Sequence, residues 1–345
     1  MITAIRNYIA EIWELWDEFW FSPTSPATLS AIRFLAGAML LYTHLVWSFD
    51  LNGFFGPNGW LPSQMMHEVH QAANDPDGPG PLTGAPRLIW THFDYIQSSK
   101  LLWTVHLAAL LIFFLLMIGL FSRTMAVLGY LLAVSYANRV TPGASFGLDK
   151  LNCMLALYLM IGPCGARYSL DRLWRLRRGA PSEVPPSISA NVAIRLIQLH
   201  MCIIYLFSGL GKLQGGMWWS GEAAWYSFAN LEYQSIDMTW LVKYPWLLAL
   251  MTHATVFWEL AYCVLIWPRL TRPWMLLMAV LVHGGIALAL GMPTFGLVML
   301  IGNLAFVSPQ TVRAVFDPIA RRATLAVVGT AGQGGARHRE SAAAG

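Results

Sequence analysis

Long apolar stretches separated by short polar connections dominate the chain. They fall at about 28–48, 101–121, 123–140, 147–165, 191–213, 246–267, 273–290 and 294–310. At about 1.5 Å per helical residue, most can cross a hydrocarbon layer of about 30 Å. The third, fourth and eighth have uninterrupted apolar parts shorter than the roughly 17 residues a span normally needs. Only helices and closed barrels satisfy their own backbone in lipid, and runs of this length are helical. The pattern therefore predicts an all-α polytopic membrane helical bundle of about eight transmembrane helices, with two long outer loops over 49–100 and 214–245.

Residues 1–27 carry a different periodicity. Ile5, Tyr8, Ile9, Ile12, Trp16, Phe19 and Trp20 recur at helical spacing beside Glu11, Glu14, Asp17 and Glu18. This predicts an interfacial amphipathic helix lying on the membrane or against the protein's own underside, ended by Pro23 and Pro26. The turn-forming cluster from Phe54 to Trp60 and the Pro/Gly/Asp-rich 74–86 belong to the first outer connection, the latter as an extended loop. After a 28–310 transmembrane domain come a cytoplasmic amphipathic segment, 311–328, and a Gly/Ala/Arg tail, 329–345, expected to be disordered.

Composition narrows the class. With 56% hydrophobic and 12% charged residues the chain is a membrane protein, since soluble chains carry about a quarter charged residues. With both termini cytoplasmic, the inner connections collect Arg167, Arg172, Arg175, Arg177, Arg178, Arg269 and Arg272 with the C-terminal arginines. The outer ones hold Arg87, Lys100, Arg139, Lys150 and Lys243. The positive-inside rule then favours this orientation in a bacterial cytoplasmic (inner) membrane, with Lys212 at the outer end of its span. The basic residues form no patch with interleaved aromatics, so no nucleic-acid partner is expected. Cys153, Cys164, Cys202 and Cys263 have no ligand-pair spacing and read as buried thiols. His67 and His70 sit one turn apart without a third ligand in register, which reads as an exposed loop helix. No metal, flavin or nucleotide motif is present.

Polar residues within the apolar segments are the candidate chemistry, because each needs a partner there. Gln198, Tyr205, Ser208 and Lys212 form one stripe of the fifth segment, which ends at Gly215-Gly216 before the aromatics Met217–Tyr226, including Trp218 and Trp219. Arg33, Gly37 and His44 share a face in the first segment, and Glu259 shares one with Thr252 and Thr255 in the sixth. Arg33 and Glu259 are thus structural intramembrane charges, with either an Arg33–Glu259 or a Lys212–Glu259 pair available. A glutamate held against Lys212 keeps it charged, whereas a useful base is neutral at rest. His283 precedes Gly284-Gly285, where a backbone or a flat ligand can come close.

Ser208-Gly209, Lys212-Leu213 and the following tryptophans resemble a signature of the HTTM (horizontally transferred transmembrane) family, which is distantly similar to the vitamin K-dependent gamma-glutamyl carboxylases. The resemblance covers roughly 28–310 and includes His283 ahead of Gly291-Met292, Asn138-Arg139 with Thr141-Pro142, Asp149 to Asn152, and Tyr168-Ser169-Leu170-Asp171. It implies Lys212 as the base that opens quinol oxygenation, His283 and Asn152 as groups orienting the ring oxygens, and Trp218, Trp219, Tyr205 and Arg139 as substrate-binding residues. The implied substrate is vitamin K hydroquinone, menaquinol or another lipophilic quinol taken from the lipid bilayer, and the implied activity epoxidase- or carboxylase-like. The Tyr168–Asp171 stretch is a helix start capped by Ser169. The sequence departs from the carboxylases at Cys153, where a histidine is expected after the asparagine, and at Ile286, where an amide is expected. The 345 residues also hold no large soluble region of the kind that engages protein substrates. The expectation is thus quinol chemistry without carboxylation of a protein. The alternative is a non-enzymatic quinone- or lipid-binding membrane protein or transporter, with Lys212 holding an anionic head group.

Overall fold

The computed structural model describes residues 1–74, 90–139 and 146–322. The helices are α1 (Ile2–Phe21), α2 (Ala27–Trp47), α3 (Leu51–Phe55), α4 (Ser63–Asn74), α5 (Ser99–Ile118), α6 (Ser122–Arg139), α7 (Gly147–Leu159) and α8 (Leu170–Arg177). They continue with α9 (Ile188–Leu213), α10 (Gly216–Ser220), α11 (Ala223–Ala229), α12 (Pro245–Leu265), α13 (Arg272–Ala289), α14 (Pro293–Asn303) and α15 (Pro309–Arg322). Among the described residues there is no strand, only an isolated bridge between Thr24 and Ser187.

Five helices are long and apolar enough to cross a membrane: α2 with its extension to Phe55, α5, α9, α12 and α13. A sixth is reached if Pro293–Phe306 and α15, bent by 117° at their junction, count as one span. The eight-segment expectation is thus reduced to five or six by this measure. The reason is local. α7 has 13 residues and gives way to turns around Gly162 and Pro163, α14 has 11, and α6 carries arginines near both ends. The two long connections are not plain loops, since the first contains α3 and α4 and the second α10 and α11. The expected extended 74–86 loop, beyond Asn74, the Thr141-Pro142 pair and the 329–345 tail lie outside the described residues, as does 323–328.

Element ends follow side-chain chemistry. The Ser98, Ser169 and Ser187 hydroxyls accept from the first-turn amides of Leu101, Arg172 and Ala190, and proline opens α12, α13 and α14. Asp171 caps a different helix, accepting from the Phe121 and Ser122 amides, both at 2.8 Å, at the start of α6. The Tyr168–Asp171 stretch therefore fastens two helices.

Arg33 is fully buried and does not meet Glu259. It donates to the carbonyls of Leu116 (2.6 Å), Met117 (2.7 Å), Tyr168 (2.5 Å) and Cys164 (3.2 Å). The guanidinium thus supplies the donors that the C-terminus of α5 lacks and meets its negative dipole end. Gly119 follows with φ of 73°, and a Cβ there would lie 2.6 Å from Arg33 Nη1, so both backbone and neighbour require glycine. Gly37, one turn along α2, brings the α5 backbone within 2.7 Å of where a Cβ would stand.

The N-terminal helix α1 is fastened at its end, where Asn191 Nδ2 donates to the carbonyls of Phe19 and Trp20, and Arg195 lies over the Phe19 ring. Along the rest of its apolar face, Tyr8, Ile9, Ile12 and Trp16 are exposed. At the same end of the bundle, Asp317 on α15 takes Arg167 (3.0 Å), Tyr168 Oη (2.8 Å) and Arg313 (3.3 Å). Partial burial opposes its charge, but these donors hold the Asp317 carboxyl below its ordinary range.

Candidate functional site

Glu259 on α12 and Lys212 on α9 form the expected alternative pair. Lys212 Nζ donates to Glu259 Oε2 at 2.7 Å, Oε1 at 2.8 Å and Ser208 Oγ at 2.7 Å, and stands 5.2 Å from the Trp218 ring centre. The three acceptors match an ammonium's three protons. Ser208 lies one turn before Lys212, so helical spacing supplies the third acceptor.

One turn further back on α9, buried Tyr205 opens a second chain of polar groups. Its hydroxyl lies 2.7 Å from His283 Nε2 on α13 and 2.8 Å from Asn303 Nδ2 on α14, while Tyr262 on α12 donates to Asn303 Oδ1 at 2.5 Å. Directions can be assigned along this chain. Asn303 Nδ2 also meets the Met299 carbonyl at 2.9 Å, which fixes the amide orientation. Tyr205 then accepts from that amide, and its own proton, which has no other acceptor among the described residues, goes to His283 Nε2. A neutral imidazole accepting at Nε2 carries its hydrogen on Nδ1. His283 Nδ1 is buried with no partner. The chain thus ends in an unused N–H donor inside the bundle.

The packing around this donor is aromatic. The rings of Trp258 and Phe295 lie 6.1 and 6.0 Å from the His283 ring, both edge-on. Close helix approach comes from Gly296, whose missing Cβ would fall 2.5 Å from the His283 carbonyl. At Gly284 and Gly285 no atom lies within 4 Å of the Cβ positions, so these two glycines face open space, not a helix.

The other expected site residues sit elsewhere. Asn152 on α7 donates to Thr43 Oγ1 at 3.5 Å and, with His44, lines a cavity between α2, α6 and α7. No hydrogen bond or ring contact among the described residues joins it to Lys212 or His283. Arg139, expected against a substrate, is fully buried and spends its Nη groups on the carbonyls of Phe54 and Gly56 (both 3.4 Å) and Leu61 (2.9 Å). It clamps the turn-forming cluster onto the end of α6. Trp219 is exposed, its indole donating to the Leu213 carbonyl at 2.8 Å. His70, expected on an exposed helix, is buried against Asp94 at 3.1 Å, and no group of three metal-binding side chains exists among the described residues.

Sequence reading missed Asn303 and Tyr262. Tyr262 was within reach, being one turn beyond Glu259 on the polar face already marked by Thr252 and Thr255. Asn303 stands alone in an apolar segment, and its partner choice depends on how three helices meet.

No family model, no curated protein and no solved structure matches the chain.

Proposed function

We propose that the chain is an integral membrane protein that binds a quinol or another flat lipophilic molecule beside Lys212 and His283, and that Lys212 removes the ligand's hydroxyl proton. The observation that carries this reading is the buried, unpartnered Nδ1–H of His283 at the end of a fixed hydrogen-bond chain. A buried donor without an acceptor costs about 1–3 kcal/mol, and an oxygen of a ligand ring would relieve that cost. The same donor would stabilise the oxygen as it becomes anionic.

Glu259 changes the base argument without removing it. Proton transfer within the pair turns ammonium and carboxylate into amine and carboxylic acid with no change in net charge. The neutral amine can then accept the quinol proton, leaving a quinolate beside His283, Lys212 as ammonium and Glu259 protonated. By the resemblance to the carboxylases, dioxygen then oxidises the anion, one oxygen atom entering the ring as an epoxide and the other leaving as water. The proposal also keeps eight spans, adding α6, α7 and α14 to the five helices that are long and apolar enough to cross, with both termini cytoplasmic in a bacterial inner membrane. Vitamin K hydroquinone and menaquinol are the candidate substrates, and Trp218 and Trp219 the rim through which they would enter from the bilayer.

A second reading is a non-enzymatic quinone- or lipid-binding protein or transporter. It is favoured by the completeness of Lys212's three hydrogen bonds, which suits a charge held at rest. Oxygen-dependent consumption of menaquinol and vitamin K hydroquinone by the full chain in detergent separates the two. The proposed enzyme turns over a quinol, and folded Lys212→Ala and Lys212→Arg variants both lose that activity, because arginine is never neutral. No turnover by folded wild type, or activity retained in Lys212→Arg, rejects the base assignment.

A further inference from the structure

The cavity between α2, α6 and α7 is separate from the Lys212 cluster and has its own unmet chemistry. It is lined by His44, Asn152, Tyr136, Asp149, Trp47 and Cys153 among others, and has an empty volume of about 280 Å³ including its mouth. His44 and Asn152 are 4% and 3% exposed, and His44 Nε2 and Asn152 Oδ1 are both buried without a partner.

Both orphan atoms are acceptors. His44 Nδ1 stands 2.7 Å from the Leu40 carbonyl, which can only accept, so Nδ1 carries the hydrogen and Nε2 the lone pair. Asn152 Nδ2 faces Thr43 Oγ1, whose own hydrogen goes to the Met39 carbonyl at 2.8 Å, so that hydroxyl accepts and the amide oxygen is the atom left over. An alcohol or phenol brings one proton and satisfies one of these atoms. Water brings two. A metal ion finds no set of three ligating side chains among the described residues. The narrow interior leaves space on the order of one water molecule, and a polar cavity with two or more partners holds water where an apolar one stays dry.

We infer that this cavity is a binding site for a single structural water, which donates one hydrogen to His44 Nε2 and the other to Asn152 Oδ1 and so links α2 to α7. Tyr136 lines the same space and packs edge-on to His44, with ring centres 4.5 Å apart, while its hydroxyl is engaged with His106 Nδ1 at 2.7 Å. Asn152 is thereby a water ligand in a helix joint, independent of whether a quinol binds at His283.

A structure of the full chain in nanodiscs, at a resolution that resolves water, tests the assignment. One ordered water within hydrogen-bond distance of both atoms is expected. An empty cavity, a lipid or ligand group in it, or Asn152 turned to bond His44 directly overturns the inference. A thermal-unfolding cycle on His44→Phe, Asn152→Leu and the double variant gives an independent check. Each single change strands one acceptor or one water hydrogen, so both lower the melting temperature, and the double variant, which removes the site whole, lowers it by less than the sum. Additive shifts contradict a shared water.

Discussion

His283 and His44 make an informative pair. Each sits on a membrane helix, each is nearly sealed from solvent, and each has one ring nitrogen bonded and the other buried and idle. The idle atoms are opposite in character because the bonded partners are. His44 faces a backbone carbonyl, which must receive a proton, so its free nitrogen is a lone pair. His283 faces a tyrosine hydroxyl that accepts from Asn303 and whose own hydrogen has His283 Nε2 as its remaining partner among the described residues, so the hydroxyl gives its proton and the free nitrogen keeps an N–H. One site calls for a donor and the other for an acceptor. Two similar residues thus acquire opposite binding chemistry from the atom one bond away.

The largest expected effect comes from removing the charge that distinguishes the His283 side. Glu259→Gln leaves Lys212 without its counter-ion in a mostly buried position, and a loss of about 2–4 kcal/mol is expected, discounted for the part of Lys212 that meets solvent. Chemical unfolding in a mild detergent measures it, and the Glu259→Gln, Lys212→Met double variant recovers a large share. A loss no greater than that of a surface substitution means that the ion pair is screened.

Breaking the direction of the chain is next. Tyr205→Phe removes the proton donated to His283 and should cost about 1–3 kcal/mol. It frees His283 to change tautomer while His44, bonded to its carbonyl, keeps its own. Equal responses of the two rings would mean that their bonded partners do not set their tautomers.

A milder effect is expected from acid on a third histidine, outside the spans. Burial lowers His92, in the connection between α4 and α5, to about 4, with Nδ1 against Ser135 Oγ at 2.6 Å. The depressed value means that the fold favours the neutral ring. The stability it contributes is complete above the unfolded value near 6.5 and is lost as pH falls from there toward 4. His92→Gln should flatten that part of a stability–pH curve. Asp317 acts at lower pH, since its lowered carboxyl stabilises α15 above the unfolded value of about 3.9 and releases it as pH falls below that. The smallest change is Trp219→Ala, which removes one exposed indole–carbonyl bond and should move stability by no more than about 1 kcal/mol.

What the sequence made legible followed from period and cost. The apolar segments, the helical periodicity of α1 and the need of Lys212 and Arg33 for partners can all be read from one-dimensional spacing. Which cation Glu259 takes cannot, because Arg33 finds enough carbonyls at the end of α5 to be satisfied without a carboxylate. The clamp made by Arg139 was not legible for a related reason: a guanidinium at a helix end can hold a turn as readily as a ligand. Asn152 and His283, grouped by resemblance, lie on α7 and α13 and bond to different neighbours, Thr43 and Tyr205. The donor at His283 was the least legible feature, since it depends on the orientation of an amide on a third helix.

The most direct test of the account reads the protons themselves. Long-range proton–nitrogen NMR on the full chain in nanodiscs, with labelled histidine assigned by His283→Gln and His44→Phe, reports which ring nitrogen is protonated before and after menaquinol is added. The account predicts hydrogen on Nδ1 in both rings, with the His283 Nδ1 resonance moving on quinol addition and that of His44 unmoved. Hydrogen on His283 Nε2, or a His283 resonance indifferent to saturating quinol, would contradict it.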